Sequence, residues 1–238
     1  MNPLRQSLFL TACAILAAGA ASAQSGFPWT NESLRYTMNW QSGLSVGDAT
    51  LTAHKGDDGW NFEATVNAGI PGFAVNDRIR STSTQSLCST SLDRDFSHAG
   101  KKTREKTTFD QKAGSAERLT LLPDGGSKPG RSTFDISGCA RDALTFLYYA
   151  RVEMGQGRMA APAKVYFGSA YNVRLDYTGA QDILVEKKMT TTDHMVVTVK
   201  GPKSDFHFEV FFARDPARTP LQVKVPLSMG AFTLDLVR

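Results

Sequence analysis

The sequence predicts a mainly β protein, a large curved antiparallel sheet (half-barrel or open barrel) packed around one central α-helix. Three observations carry this. Apolar and polar residues alternate with a period of two in segment after segment from Leu34 to the C-terminus. A single stretch, Ala140 to Met154 (ARDALTFLYYARVEM), reads as a helix. Its apolar residues Leu144, Phe146, Leu147, Tyr148, Tyr149 and Val152 cover more than one stripe, as expected of a helix held between two surfaces. Counting both sides of it gives about ten or more strands, and sheets of that size curl or close.

Residues 1–23 have the layout of a secretory signal peptide. Arg5 lies in a short polar start, an apolar run extends from Leu8 to Ala20, and Ala21-Ser22-Ala23 forms an A-x-A-type cleavage site before Gln24. No basic stop-transfer cluster follows, so no transmembrane span is expected in the mature chain. Leu10-Thr11-Ala12-Cys13 offers the alternative of a lipobox with Cys13 lipidated. Against it, Ala14 to Ala20 stay apolar where a lipoprotein tether is polar. Export to the periplasm with cleavage after Ala23 leaves residues 24–238 as a single β-rich domain, long enough to bury roughly 70% of its unfolded surface. Taking Arg5 from the 27 basic residues leaves 26 against 23 acidic ones, a net charge of +3. That balance is too mild and dispersed for nucleic acid, which needs a basic stripe.

Leu34, Tyr36, Met38 and Trp40 alternate with polar residues as a first, half-buried strand. Ala49, Leu51 and Ala53 continue the pattern, Gly56-Asp57-Asp58-Gly59 turns the chain, and Trp60, Phe62, Ala64 and Val66 resume it. After a loop at Gly69 to Phe73, the segment Asn76 to Leu87 is polar on both faces, which suits a strand lining a wet or partly open space. From Asp95 to Glu117 the charges are of mixed sign, a phosphate-binding patch on one reading and a solvated outer face on the other. Pro123-Asp124-Gly125-Gly126 and Lys128-Pro129-Gly130 mark a loop, and a short strand near Ser132 to Ile136 leads to the helix. Asp142 is expected in its first turn, with Gly155 and Gly157 ending it. Seven further strands are expected: 164–167, 171–177, 182–189, 194–199, 205–213, 221–225 and 231–237. In the fifth of these Phe206, Phe208, Val210 and Phe212 make one face strongly aromatic.

Beyond the expected leader the chain keeps Cys88 and Cys139. An oxidising compartment pairs an even number, and closing that loop contributes at most about 4 kcal/mol in the chain-entropy model. Two buried free thiols are the alternative.

The chain resembles a bacterial envelope family catalogued as domain of unknown function 3108. The matching residues are Asn31 to Trp40 (NESLRYTMNW) with Gly43 and Gly47, then Asp77, then Asp142 to Arg151 (DALTFLYYAR). Asp215, Arg218, Thr219 and Pro220 follow, with Gly230 and the alternation of Phe232, Leu234 and Leu236. Thr145 stands where the family tends to have Ser, and Asn31 where Gly often precedes the Glu. The resemblance implies an exported, mostly β protein and no activity.

The chain contains no Gly-x-Ser-x-Gly elbow, no Gly-rich phosphate loop and no dinucleotide fingerprint. His54, His98, His194 and His207 are far apart, without metal-ligand spacing, and no catalytic residue, metal site or cofactor is assigned. His207 beside Asp205 is expected to face outward into solvent. Arg151 suits a cation at the helix C-terminus, a partner for Asp77 or Asp142, or a ligand contact. The aromatic residues are core, or the wall of an apolar cavity if the sheet is incompletely plugged. On the second reading the ligand-contacting residues are Trp40, Trp60, Phe62, Tyr148, Arg151, Phe206 and Phe208. The expected function is non-enzymatic binding of a lipid-like or amphiphilic envelope molecule. The alternatives are an assembly factor that binds another envelope protein through a sheet edge, or an envelope hydrolase whose site is assembled from distant residues.

Overall fold

A computed structural model describes residues 28, 30–70, 73–122, 129–202, 205–227 and 230–237. The expected signal peptide, the Ala23 cleavage site and Cys13 lie outside the described residues, as does most of the loop around Asp124. Fifteen strands and one helix follow in chain order: β1 (Asn31–Trp40), β2 (Ser45–Lys55), β3 (Trp60–Ile70), β4 (Phe73–Ser83), β5 (Ser89–His98), β6 (Lys101–Asp110), β7 (Ser115–Leu122), β8 (Gly130–Asp135), β9 (Arg141–Asp142), α1 (Ala143–Gly155), β10 (Ala163–Tyr166), β11 (Ala170–Val185), β12 (Lys188–Lys200), β13 (Asp205–Ala213), β14 (Pro220–Leu227) and β15 (Gly230–Val237).

All fifteen strands share one curved sheet that stays open, in the order β8 to β1, then β15 down to β9. The two meanders meet where β1 pairs with β15, from Arg35 opposite Val237 to Trp40 opposite Phe232. Every ladder is antiparallel except the short one between β9 and β10. Side chains, more than ladder hydrogen bonds, bridge the gap between the two edges. The Tyr166 ring lies 5.8 Å from Phe109 and 5.5 Å from Phe134, and Leu92, Ala116, Ile136 and Ala140 complete this cluster. Arg94 and Arg118 donate to the carbonyls of Phe167 and Gly168 in the β10–β11 turn.

Several element boundaries differ from the periodicity. The expected strands 171–177 and 182–189 join, through 178–181 and as far as Val185, into one strand, β11, whereas 188–193 belongs to β12. Thr178-Gly179 looks like a turn but is a bulge, with Gly179 at φ +122°. The real turn is Glu186-Lys187, both at positive φ (47° and 67°), a geometry usually signalled by Asn-Gly and here built from residues that give no such signal. The helix starts at Ala143 rather than Ala140, because Asp142 is its N-cap and Arg141 and Asp142 pair with β10. Where a loop is expected at Gly69 to Phe73, the β3–β4 ladder pairs Gly69 with Ala74 and Ile70 with Phe73. The mixed charges form cross-strand ladders: Arg104 pairs with Asp95 at 2.7 Å and Arg78 with Glu63 at 2.8 Å.

The helix packs on two sides, as its broad apolar surface requires. Leu144 and Tyr148 join Tyr36, Leu51, Trp60 and Phe62 in one core, while Phe146, Ala150 and Met154 join Val165, Val197, Val210 and Phe212 in another. Cys88 and Cys139 are bridged, with Cα atoms 4.9 Å apart, tying the approach to the helix to the start of β5. Replacing both cysteines by Ser should lower unfolding stability by as much as about 4 kcal/mol in denaturant titration. A loss under about 0.5 kcal/mol would show that the packing around the bridge closes this loop unaided.

Candidate functional site

The site is framed by the two ends of the helix, each fixed by a buried charge. At the N-terminus Asp142 has extended backbone (φ −79°, ψ 176°), and its Oδ1 accepts from the amides of Leu144 at 2.9 Å and Thr145 at 3.1 Å. Its Oδ2 accepts from Ser81 Oγ and Ser89 Oγ, both at 2.5 Å, and from Thr145 Oγ1 at 2.9 Å. Burial pushes the carboxyl above its ordinary pKa, while the hydrogen bonds from Ser81, Ser89 and Thr145 pull it back. The polar inner face of β4 thus has a structural purpose: Ser81 belongs to the cage around the helix cap. Gln111 braces the same corner, its Nε2 donating to the carbonyls of Ser89 at 2.6 Å and Ala140 at 3.0 Å.

Toward the other end, Arg151 neither caps the helix nor pairs with Asp77 or Asp142. Its side chain is fully buried and grips Glu32 of β1 in a two-pronged ion pair, Nη1 to Oε2 at 2.7 Å and Nη2 to Oε1 at 2.8 Å. Its Nε donates to the carbonyls of Ala217 and Arg218, each at 3.1 Å, and Tyr148 Oη donates to Glu32 Oε2 at 2.8 Å. Asp77 instead meets His98 at 2.8 Å. Tyr36 Oη donates to the Pro220 carbonyl at 2.9 Å. Burial, opposed by Arg151, pushes the Tyr36 hydroxyl far above the ordinary tyrosine range, and burial together with Glu32 does the same to Tyr148.

Between these anchors the helix leaves an apolar cavity of about 590 Å³. Ala143, Leu144, Phe146, Leu147 and Ala150 form its helical wall, and β1–β3 and β10–β15 form most of the rest. Ala49 and Ala64 contribute small side chains to the sheet side of the lining. None of the described lining residues is charged. Its hydroxyls are largely committed, since Tyr36 is bonded as above and Thr50 and Thr65 bond each other at 2.6 Å.

The aromatic residues singled out in the sequence fall into separate places. Phe206 and Phe208 line the cavity, with Phe206 at its open end, 45% exposed, and Phe212 of the same face buried deep at 1%. Trp60, Phe62 and Tyr148 instead stack on one another in the first core, at 5.9 Å and 4.4 Å between ring centres. Trp40 packs edge-on against Phe232 at 4.4 Å, and Arg151 is held in its ion pair. Most of the wall is aliphatic and was not singled out: Val165, Val173, Leu175, Val197, Val199 and Val223. Their alternation was legible, but alternation is the same for a strand facing a core and one facing a cavity.

His207 is exposed at the outer face. His194 has a closer environment, its Nδ1 2.7 Å from Thr178 Oγ1 and its Nε2 2.8 Å from Glu209 Oε2, with its ring stacked on Phe211 at 4.5 Å. Thr178 Oγ1 also lies 3.1 Å from the His194 carbonyl, so its one proton can serve either the imidazole or that carbonyl. The trio also lies on the sheet face opposite the cavity, since the neighbouring Phe208 and Val210 line it. Among the described residues no group of three or more His, Cys, Asp or Glu side chains is placed to hold a metal ion, and no helix is long and apolar enough to cross a membrane.

The profile of the family described as a protein of unknown function (DUF3108) matches residues 35–237, and the chain belongs to that family. A comparison with curated proteins found no match.

Two outcomes follow from the anchors. Arg151→Met should cost about 3–5 kcal/mol because it strands Glu32 in a dry site, and adding Glu32→Leu should restore most of that loss. Equal losses in the single and double variants would contradict the ion pair as the cause. Tyrosines in the unfolded chain ionise near pH 10, whereas Tyr36 and Tyr148 stay neutral in the fold. Stability is therefore intact below about pH 10 and falls as pH rises above it. In a spectrophotometric titration, the ionisation of Tyr36 and Tyr148 should coincide with loss of the β circular-dichroism signal.

Proposed function

We propose that this member of the family is an exported periplasmic protein that binds, without catalysing a reaction, a lipid-like or amphiphilic envelope molecule in the cavity under its helix. The observation that carries this reading is the cavity itself, about 590 Å³ with no charged residue in its described lining. Its volume falls within the range of small-molecule sites. Filled with liquid, it would hold about 20 waters at roughly 30 Å³ each, most without polar partners. An apolar occupant avoids that loss and gains roughly 25 cal/mol for each Å² of apolar surface removed from water. The export signal in residues 1–23 supports an occupant drawn from the envelope.

Native mass spectrometry of the protein from its own periplasm, set against the denatured mass, is the direct test. A mass excess that disappears on denaturation is the expected result. Protein that carries none, and takes up none from an envelope lipid extract, overturns the reading. The denatured mass also reports whether the chain begins at Gln24 or carries lipid on Cys13.

A second reading, recruitment of an envelope protein through a sheet edge, draws on β8, a terminal strand with alternating exposed residues. A stoichiometric protein partner co-purifying with no small molecule bound would favour it.

A further inference from the structure

Resting on that reading, we infer that the cavity takes one linear hydrocarbon chain, tail first, and leaves the polar head of the amphiphile outside. The size of the space sets the chain count. A cavity of 150 Å³ holds a six-carbon ring, or about 25 Å³ per carbon. At that density 590 Å³ accommodates roughly 24 carbons. One chain of 16–18 carbons fits with room to move, whereas the paired chains of a diacyl lipid, about 32 carbons together, do not.

The length agrees. The cavity wall on β13 extends from Phe206 to Phe212, six residue steps or about 20 Å at the rise of a strand. The hydrocarbon depth of one membrane leaflet is about 15 Å, half of a typical bilayer core.

Polarity sets the direction. At the deep end, around Phe212, Tyr36 and Pro220, the Tyr36 hydroxyl already donates to the Pro220 carbonyl. A head group carried there would lose its water without gaining partners. At the open end Phe206 is 45% exposed, and a head group placed beside it stays solvated.

Displacement of a fluorescent fatty-acid probe from the delipidated full chain, with saturated fatty acids of increasing length, tests this. Affinity should rise roughly fourfold per added methylene and level off by about 24 carbons, where the space is full. A lysophospholipid of the same chain length should bind within about threefold of the acid, and the corresponding diacyl phospholipid at least tenfold more weakly. Ala49→Leu adds three carbons to the deep wall and should move the plateau about two to three carbons shorter. Ala64→Leu serves the same purpose should that variant fail to fold. Phe206→Ala at the rim should weaken binding without moving the plateau.

Diacyl lipid binding as tightly as one chain, affinity still rising well beyond about 24 carbons, or a more than tenfold dependence on the head group would each overturn the single-chain inference while amphiphile binding stands. Failure of every lipid probe to bind would instead remove the proposed function itself.

Discussion

The two-pronged contact between Arg151 and Glu32 fixes how the helix sits, and the cavity depends on how the helix sits. A helix that is apolar on several sides has no unique rotation about its own axis, since many settings bury similar area. The ion pair removes that freedom. Its oxygens and nitrogens are supplied with partners from β1, from Tyr148 and from the Ala217–Arg218 turn, so any rotation leaves charge without partners in a dry interior. Net stability is a poor measure of such a pair, because desolvation offsets most of its Coulombic gain. Its contribution is to specify one arrangement among many of similar packing energy. Asp142 does the same at the other end, where N-cap geometry and the hydroxyls of Ser81 and Ser89 hold one carboxylate in place.

Held at both ends, the helix spans the concave sheet like a beam. On one side the Trp60, Phe62 and Tyr148 stack fills the space completely. On the other, Ala143 and Ala150 of the helix and Ala49 and Ala64 of the sheet line a volume that neighbouring residues do not enter. Interiors are normally close-packed, so a void of this size in an apolar setting forfeits dispersion contacts. An apolar chain would restore them. The same two anchors that order the helix therefore also keep it from collapsing onto the opposite wall.

Openness of the sheet is the second consequence. With β9 and β10 packed across the inner faces of β5 to β8 through Tyr166, Phe109 and Phe134, the ends of the sheet approach without forming a ladder. Arg94 and Arg118 hold the β10–β11 turn by its carbonyls, beside Phe167 in the cavity wall. A seam of side chains can yield more easily than a row of backbone hydrogen bonds, because it separates contact by contact.

The sequence by itself determined the fold class, the single helix between two surfaces and the solvated ladder of mixed charges. Each is a local property: the two-residue alternation follows from strand geometry, and the spread of apolar residues on α1 from helical geometry. It also determined that Cys88 and Cys139 would be suited to pairing in an oxidising compartment, although only the tertiary structure brought them within bonding distance. Glu32 and Arg151, 119 positions apart, carry no local mark of their partnership. Val173, Val197 and Val223 alternate as any core strand would, and the turn at Glu186-Lys187 uses residues that rarely announce one. Whether those valines meet a neighbour or an empty volume is set by side-chain sizes summed across the helix and many strands of the curved sheet. That sum, taken over an open curved sheet, exists only once the chain has folded, which is why the strands were legible in the sequence and the cavity they line was decided by the tertiary structure alone.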